Sequence, residues 1–518
     1  MNPGHYTLLL VIPRQTYKHY SMQIGMARMA GKANTMPSLA LALVAALTPP
    51  HYTITIVDEE IDTIPTSRRF DIVGITAFSN TIDRACAIAD TFRSRGSVVV
   101  MGGAQVTFAP EDALLHADAV VLGEAEGAWP RLLADYERGA LRTTYRNNGP
   151  VPFTTSPPPR WDLVRTSRYL SLPVQATRGC PFNCEFCLVT KMFGRKKRMR
   201  SVDDIISEIQ SLPSKRLFFV DDNLTVNKPF ARELVGRLQE LGISWVCQSS
   251  IDITDDDELL ETMAQSGCHQ ILIGFESLNQ ENLDETQKRH NSVERFAAAI
   301  ERIHRHGIHV LASFIVGFDN DTLATFDTIH TFCLHHNVPY VILNTLACSP
   351  GSDLHRRMAA AGRLCEVDAP YRDGMFPTIT YRHMTRTELF AGYLAAVRRE
   401  FSYPVIYRKG VALFSSGWFR RERSDPQLSP LRKGVMFVRL VCIFMLTPDR
   451  DKRRTFNALF SLFLRKQAAI ESVVVYLMSM EGFHRYVGWL CRREKKLLSA
   501  IAAFKPLPPC TDDPRLQE

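Results

Sequence analysis

The chain is poor in cysteine for its length, with 12 in 518 residues. That excludes the disulfide-dense scaffold of a small secreted domain. Long apolar runs are missing too. The longest late in the chain, VMFVRLVCIFML, is interrupted by Arg439 and falls well short of the roughly 20 residues that span a bilayer as a helix. The stretch MNPGHYTLLLVIPRQ has no basic n-region and no extended apolar core, so it does not read as a signal peptide. A cytoplasmic, reducing location is expected. A strong charge of one sign is also absent. The net charge of +8 is milder than nucleic-acid-binding chains usually carry, so no nucleic-acid partner is expected. Such an excess suits an anionic ligand or a membrane surface equally well.

The shortage that carries chemistry is local. RGCPFNCEFC, residues 178–187, sets Cys180, Cys184 and Cys187 at C-x3-C-x2-C, and no fourth cysteine follows nearby. A structural zinc site wants four ligands, and so does an ordinary 4Fe–4S cluster. Three thiolates can hold three irons of a cubane and leave the fourth open to a small molecule. Zinc with a distant histidine and three plain buried thiols are the alternatives. A strand before the loop, the flanking Arg178 and Gly179, and the barrel pattern after it favour the cluster.

The pattern around the loop is α/β. Apolar runs at Leu8–Ile12, Tyr52–Val57, Asp71–Thr76, Val98–Met101 and Ala119–Leu122 alternate with helical stretches such as Pro37–Leu47. Strands separated by helices imply a parallel sheet covered on both faces. Ligands of such sheets sit beyond the strand carboxyl ends, which here carry Thr76, Ser79, Asn80, Gly102, Gly103 and Gly123. Glu124 and Glu126 read as residues opening a helix, not as ligands. NNGPVPFTTSPPPRWDL reads as a connection. Six further strand–helix units follow: VQATRGC, Arg216–Val220, Trp245–Ser249, Ile271–Gly274, Leu311–Val316 and Tyr340–Leu346. They predict a partial (β/α)6 barrel with Asp222, Gln248, Ser250, Glu276 and Gly317 at one mouth. As plain structure, these are turn residues and helix caps. The basic stretch KMFGRKKRMRS reads first as a solvated loop before a helix capped by Ser201, and second as a lid or electron-donor docking patch. After about residue 365 the pattern turns helical and basic. Phe456, Leu459, Phe460, Phe463 and Leu464 mark one apolar helical face. The expected spans are 1–146, a linker 147–170, a barrel 171–364 and a helical region 365–518.

With Phe186 before its last cysteine, the loop resembles the signature of radical S-adenosylmethionine (SAM) enzymes. That resemblance implies a 4Fe–4S cluster on Cys180, Cys184 and Cys187, with SAM chelating the fourth iron and cleaved to a 5′-deoxyadenosyl radical. Phe186, Asp222, Gln248, Ser250, Glu276 and Gly317 become candidate SAM contacts, Phe186 on the adenine side and Glu276 at the amino group or ribose. VVVMGGAQVTFAPEDALLHADAVVLGEAEGAWPRLL and MPSLALALVAALTP resemble the Rossmann-like cobalamin-binding domain of the cobalamin-dependent branch. The implied cobalamin contacts are Thr76, Ser79, Asn80, Gly102, Gly103 and Gly123. A D-x-H-x-x-G motif is absent, so no histidine from that motif ligates the lower cobalt face. GMARMAGKANTMPSLAL, ATRGCPFNCEFC and FFVDDNLTVNK are similar to the hopanoid 2-methylase type.

The implied activity is C-methylation of an unactivated carbon. The radical abstracts hydrogen, and methylcobalamin supplies the methyl group. A polycyclic lipid is one substrate class, and the basic tail would then suit the inner face of a membrane. The alternatives are a non-methylating, ring-closing enzyme of the tetrapyrrole type, a methyltransferase of a peptide or natural-product intermediate, and a cobalamin or redox sensor. A flavodoxin or ferredoxin is the expected electron donor. No catalytic acid–base pair stands out.

Overall fold

This computed structural model describes residues 5–19, 24–419 and 430–510. Met1–Gly4 and the C-terminal end of the last expected span lie outside the described residues. The first sheet contains β1 (Tyr6–Ile12), β2 (Tyr52–Asp58), β3 (Ile72–Thr76), β4 (Val98–Gly102), β5 (Ala119–Leu122) and β6 (Thr144–Arg146). They run parallel in the order β2-β1-β3-β4-β5-β6. β6 was not expected. It is three residues long and buries only Tyr145, so it leaves no periodic signal. β3 and β5 are buried at every position, because helices cover both faces of the sheet. The Ile82–Arg93 helix packs on one face; the Leu39–Ala46 and Ala125–Glu137 helices pack on the other. The strand order reverses between β1 and β3, and such a switch point opens a crevice beyond the strand ends.

The second sheet is wound in one direction. β7 (Leu172–Val174) is followed by a short ribbon, β8 (Thr177–Arg178) with β9 (Arg198–Met199). Then come β10 (Arg216–Phe219), β11 (Ser244–Ser249), β12 (Cys268–Glu276), β13 (His309–Val316) and β14 (Tyr340–Thr345). The order β14-β13-β12-β11-β10-β7 is parallel throughout. This is the expected six-unit partial barrel. One detail differs: VQATRGC is not one strand. The buried Asp221 carboxylate accepts from the amides of Ala176 (3.2 Å) and Thr177 (2.5 Å), which lifts the chain off the barrel edge and into the ribbon. Ser201, Asn227, Asp256, Asn279 and Ser352 each cap a barrel helix with a side-chain acceptor.

Outward side chains of the barrel pack on its helices. Trp245 donates from its indole to Ser266 at the end of the Asp257–Gln265 helix. Phe275 meets Phe296, and Phe314 meets Phe332. The alternate positions therefore point inward: Val246 and Gln248, Leu272 and Gly274, Ser313 and Ile315. Asn344 joins them, donating to Ser313 of the neighbouring strand at 3.3 Å. These seven are partly or fully exposed, whereas their outward neighbours are buried.

The helices after residue 386 share the barrel's apolar core. They include Tyr403–Ser415, Pro430–Met445, Arg450–Leu464 and Ile470–Cys491. Tyr340, the first residue of β14, meets Tyr476, and His309, the first of β13, stacks on Phe419 at 4.3 Å. The helical region thus lies under the amino ends of the strands. No helix among the described residues is long and apolar enough to cross a membrane.

Candidate functional site

The cysteine loop is fixed from four sides. Gly179 has φ +89°, and a Cβ there would come within 2.7 Å of the Lys196 carbonyl, so only glycine fits the entry. Arg178 is 7% exposed and donates to Glu124 at 2.8 Å and to Glu126, both at the carboxyl end of the first sheet. Its guanidinium also lies 4.3 Å over the Phe153 ring. Phe182 stacks on His290 at 3.7 Å. Glu185 takes a two-pronged bond from Arg357, at 2.7 and 2.9 Å, which ties the loop to the Asp353–Ala360 helix.

The three thiols are free and part-buried. Burial pushes the Cys180 and Cys184 thiols above their ordinary range and Cys187 up to about 11. Thiolates here need positive charge. Part of it comes from Lys288, whose field reaches all three cysteines, and from Lys197 beside Cys180. A metal would supply the rest. Among the described residues no three His, Cys, Asp or Glu side chains converge on a point fit for one ion. Three part-buried thiols on one loop, with Lys288 and Lys197 beside them, fit a cluster in which each cysteine ligates its own iron.

Lys288 escaped sequence reasoning. It bonds Glu276 at 2.6 Å, twelve residues away, with both side chains about 10% exposed. Glu276 has φ +65° at an irregularity of β12, an uncommon conformation for this residue type. A Cβ on Gly274 would stand 2.3 Å from Glu276 Oε1 and 3.0 Å from Lys288 Nζ. The pair therefore fills the space that glycine leaves. Phe186 lies below it, its ring centroid 5.9 Å from Lys288 Nζ.

Polar atoms at the mouth stand without protein partners: Asp222 Oδ2, Asn223 Oδ1 and Asn291 Oδ1. Burial lifts the Asp222 carboxyl to about 6, against the pull of Lys197. Buried acceptors of this kind are costly unless a ligand or water satisfies them, so the mouth fits a ligand bearing amino and hydroxyl groups. Gln248 is exposed into the lumen. The Ser250 hydroxyl accepts from Asn223 at 2.7 Å and donates to Asp252. Gly317 (φ +120°) makes its close approach to the Tyr381 ring, with 2.7 Å left for a Cβ.

Across the mouth, a cavity of about 1120 Å³ separates the two sheets. Ser79, Gly123 and Glu124 line it from the first sheet, Met192 and Phe193 from behind the cysteines, and Cys348–Gly351 from the loop after β14. Its size exceeds the roughly 300–1,000 Å³ of drug-sized pockets and fits a macrocycle. Of the other strand-end residues, Asn80 donates to Asp373 of that wall at 3.1 Å. Gly102 ends β4, and Gly103 lies against Thr76, with 2.8 Å between its would-be Cβ and the hydroxyl.

The basic stretch after the cysteines is not a solvated loop throughout. Arg198 turns inward to Glu124 at 2.9 Å, Lys197 donates to the Asn223 carbonyl at 2.6 Å, and Arg200 pairs with buried Glu208. Of its basic residues only Lys191, Arg195 and Lys196 are exposed. Glu124 and Glu126 likewise do more than open a helix: they clamp the first sheet to the cysteine loop.

Comparison with known proteins agrees with this geometry. Residues 174–333 match the radical SAM superfamily and residues 30–133 the B12 binding domain. The chain is 30% identical over 339 residues to the bacteriochlorophyllide d C-12(1)-methyltransferase of Chlorobaculum tepidum, covering 63% of this chain and 74% of that one. It is 27% identical over 380 residues to the hopanoid C-2 methylase of Rhodopseudomonas palustris, covering 70% and 71%. The fold resembles that of the cobalamin-dependent S-adenosylmethionine radical enzyme OxsB with aqua-cobalamin bound, at TM-score 0.59 and 14% identity over 96% of this chain and 85% of that one. It also resembles the methyltransferase TsrM from Kitasatospora setae, at TM-score 0.57 and 14% identity over 84% and 99%. The protein is therefore an enzyme that uses a 4Fe–4S cluster, SAM and cobalamin, and the chain belongs to the cobalamin-dependent radical SAM family, which includes these methyltransferases.

Proposed function

We propose that the enzyme methylates an unactivated carbon of a large, mostly apolar ring system, a polycyclic lipid or a tetrapyrrole. The observation that carries this is the lumen. Its inward positions are Val246, Leu272 and Ile315, interleaved with the uncharged polar Gln248, Ser313 and Asn344. A wall of apolar and uncharged polar positions orients a bulky, uncharged substrate. The relatives support the size class: two act, by name, on bacteriochlorophyllides and one on hopanoids.

When bound, the cluster with SAM supplies hydrogen abstraction and cobalamin supplies the methyl group. The residues of this chain hold, orient and exclude water. Cys180, Cys184 and Cys187 are assigned to the cluster. Glu276, held by Lys288, is assigned to the SAM amino group or ribose, with Asp222, Gln248 and Phe186 around it. Ser250 and Gly317 shape that wall from behind. Ser79 and Gly123 are assigned to cobalamin directly, while Thr76, Gly102 and Gly103 set the turn above it and Asn80 ties that turn to Asp373. In this reading residues 1–146 carry cobalamin, 171–364 carry the cluster and SAM, and 365–518 support the barrel. Exposed Lys191, Arg195 and Lys196 offer an acidic electron donor, such as a flavodoxin or ferredoxin, a place to dock.

Incubation of the holoenzyme with reductant and SAM tests the reaction type. Methylation yields both 5′-deoxyadenosine and S-adenosylhomocysteine. A ring-closing enzyme, as one relative is named, yields no S-adenosylhomocysteine, and a sensor yields neither. Comparing lipid and pigment extracts of strains with and without the gene then identifies the substrate.

A further inference from the structure

The paired helices at the end of the chain break the usual rule for a surface element. Pro430–Met445 and Arg450–Leu464 pack through Leu440, Phe444 and Phe456, with Phe444 and Phe456 rings 5.9 Å apart. The outer face of a surface helix is normally polar. Here Val435, Val438, Arg439, Cys442 and Leu446 share one exposed face, at spacings of three, four, seven and eleven. Val435 and Val438 are 60% exposed, Leu446 is 81% exposed, and Leu464 at the end of the second helix is 65% exposed. Nothing among the described residues covers them.

Charge concentrates on the same segment. Residues 430–466 hold nine basic and two acidic side chains, a net +7 against +8 for the whole chain. Lys452 turns inward, to Glu481 at 2.8 Å, and Arg439 also reaches the Met29 carbonyl at 3.4 Å. Arg439, Arg450, Arg454, Arg465 and Lys466 are exposed around the apolar row.

We propose that the helical pair 430–464 is a docking surface for an anionic lipid bilayer. Exposed aliphatic side chains enter the acyl boundary while the surrounding arginines and lysines meet headgroup phosphates. A second copy fits poorly, since a two-fold contact would set one basic surface against another. Leu459 of the pair packs at Gly410 beside Tyr476, and Tyr476 meets the start of β14 at the barrel floor. The cofactor mouth therefore faces away from the bilayer, and docking leaves SAM cleavage untouched. This inference rests on surface chemistry alone and stands whatever the substrate.

The test is sedimentation of the full-length holoenzyme with vesicles. It should pellet with phosphatidylcholine–phosphatidylglycerol vesicles, stay in solution with phosphatidylcholine alone, and come off at high salt. Val435→Glu/Val438→Glu should lower binding at least about tenfold, and Arg465→Gln/Lys466→Gln about twentyfold, at roughly fivefold per charge removed. Melting temperature and 5′-deoxyadenosine formation should not change in either variant. Wild-type protein that stays in solution with anionic vesicles overturns the proposal. So does undiminished binding by the valine variant, or a dimer in light scattering that this variant dissociates. Retention on immobilised polyglutamate without vesicle binding also overturns it and assigns the surface to an acidic protein.

Discussion

The chain builds two six-stranded parallel sheets and uses them in opposite ways. The first sheet reverses direction between β1 and β3 and is covered on both faces, so β3 and β5 are buried at every residue. Its strands are structural, and chemistry is left to the loops at their carboxyl ends. The barrel runs in one direction and is covered only outside. In β11 every second residue, and in β12 Leu272 and Gly274, faces an open lumen. Topology thus decides where function can reside: at strand ends in a doubly wound sheet, along the strands in an open barrel.

The largest effect should come from the junction of the two. Cys184→Ala removes one thiolate of the cluster loop but touches no residue of the first sheet. Iron and sulfide content and 5′-deoxyadenosine formation should fall to background together, while hydroxocobalamin still binds stoichiometrically in the visible spectrum. Retained SAM cleavage would sink the assignment of the loop. Lost cobalamin binding would mean that the two sheets are not separable units.

Gly274→Ala tests whether strand interiors in the barrel carry chemistry. The added methyl meets Glu276 Oε1 and Lys288 Nζ, forcing that buried pair to shift. A displacement of about 1 Å near the reacting groups costs on the order of 100-fold in turnover. SAM cleavage should fall by that factor with cluster content intact. An unchanged rate would show that the pair is structural.

The sequence shows best what is local. The C-x3-C-x2-C spacing, five of the six first-sheet strands and all six barrel units were legible because each is a short apolar run closed by glycine or a polar turn. β6 was not, since three residues carry no period. The site is harder to read because it is assembled across long separations. Lys288 carries no spacing signal toward Glu276, and Arg178 reaches Glu124 across 54 positions. The basic stretch misled for the same reason: Lys197, Arg198 and Arg200 look solvated until the fold brings acidic or carbonyl partners to them. Caps were the reverse case. Ser201, adjacent to its helix, was legible from sequence alone.

The smallest effect on turnover should come from a paired truncation, which states the contrast most directly. Ile75 lies in β3, 2% exposed, against the first sheet's core. Leu272 lies in β12 and is part-exposed to the lumen. Ile75→Ala leaves a cavity in packed surroundings and should cost about 2–5 kcal/mol of stability, lowering the melting temperature while turnover per folded molecule stays unchanged. Leu272→Ala empties wall that water already reaches, so its melting temperature should move little. Instead KM for the substrate should rise roughly five- to thirtyfold, because about 1–2 kcal/mol of apolar contact is lost with a part-exposed side chain of this size. Two aliphatic residues of equal size in the same secondary structure then give opposite readouts, stability in one sheet and substrate affinity in the other. Equal losses of stability at both positions would mean that the barrel lumen is a packed core and that the substrate binds elsewhere.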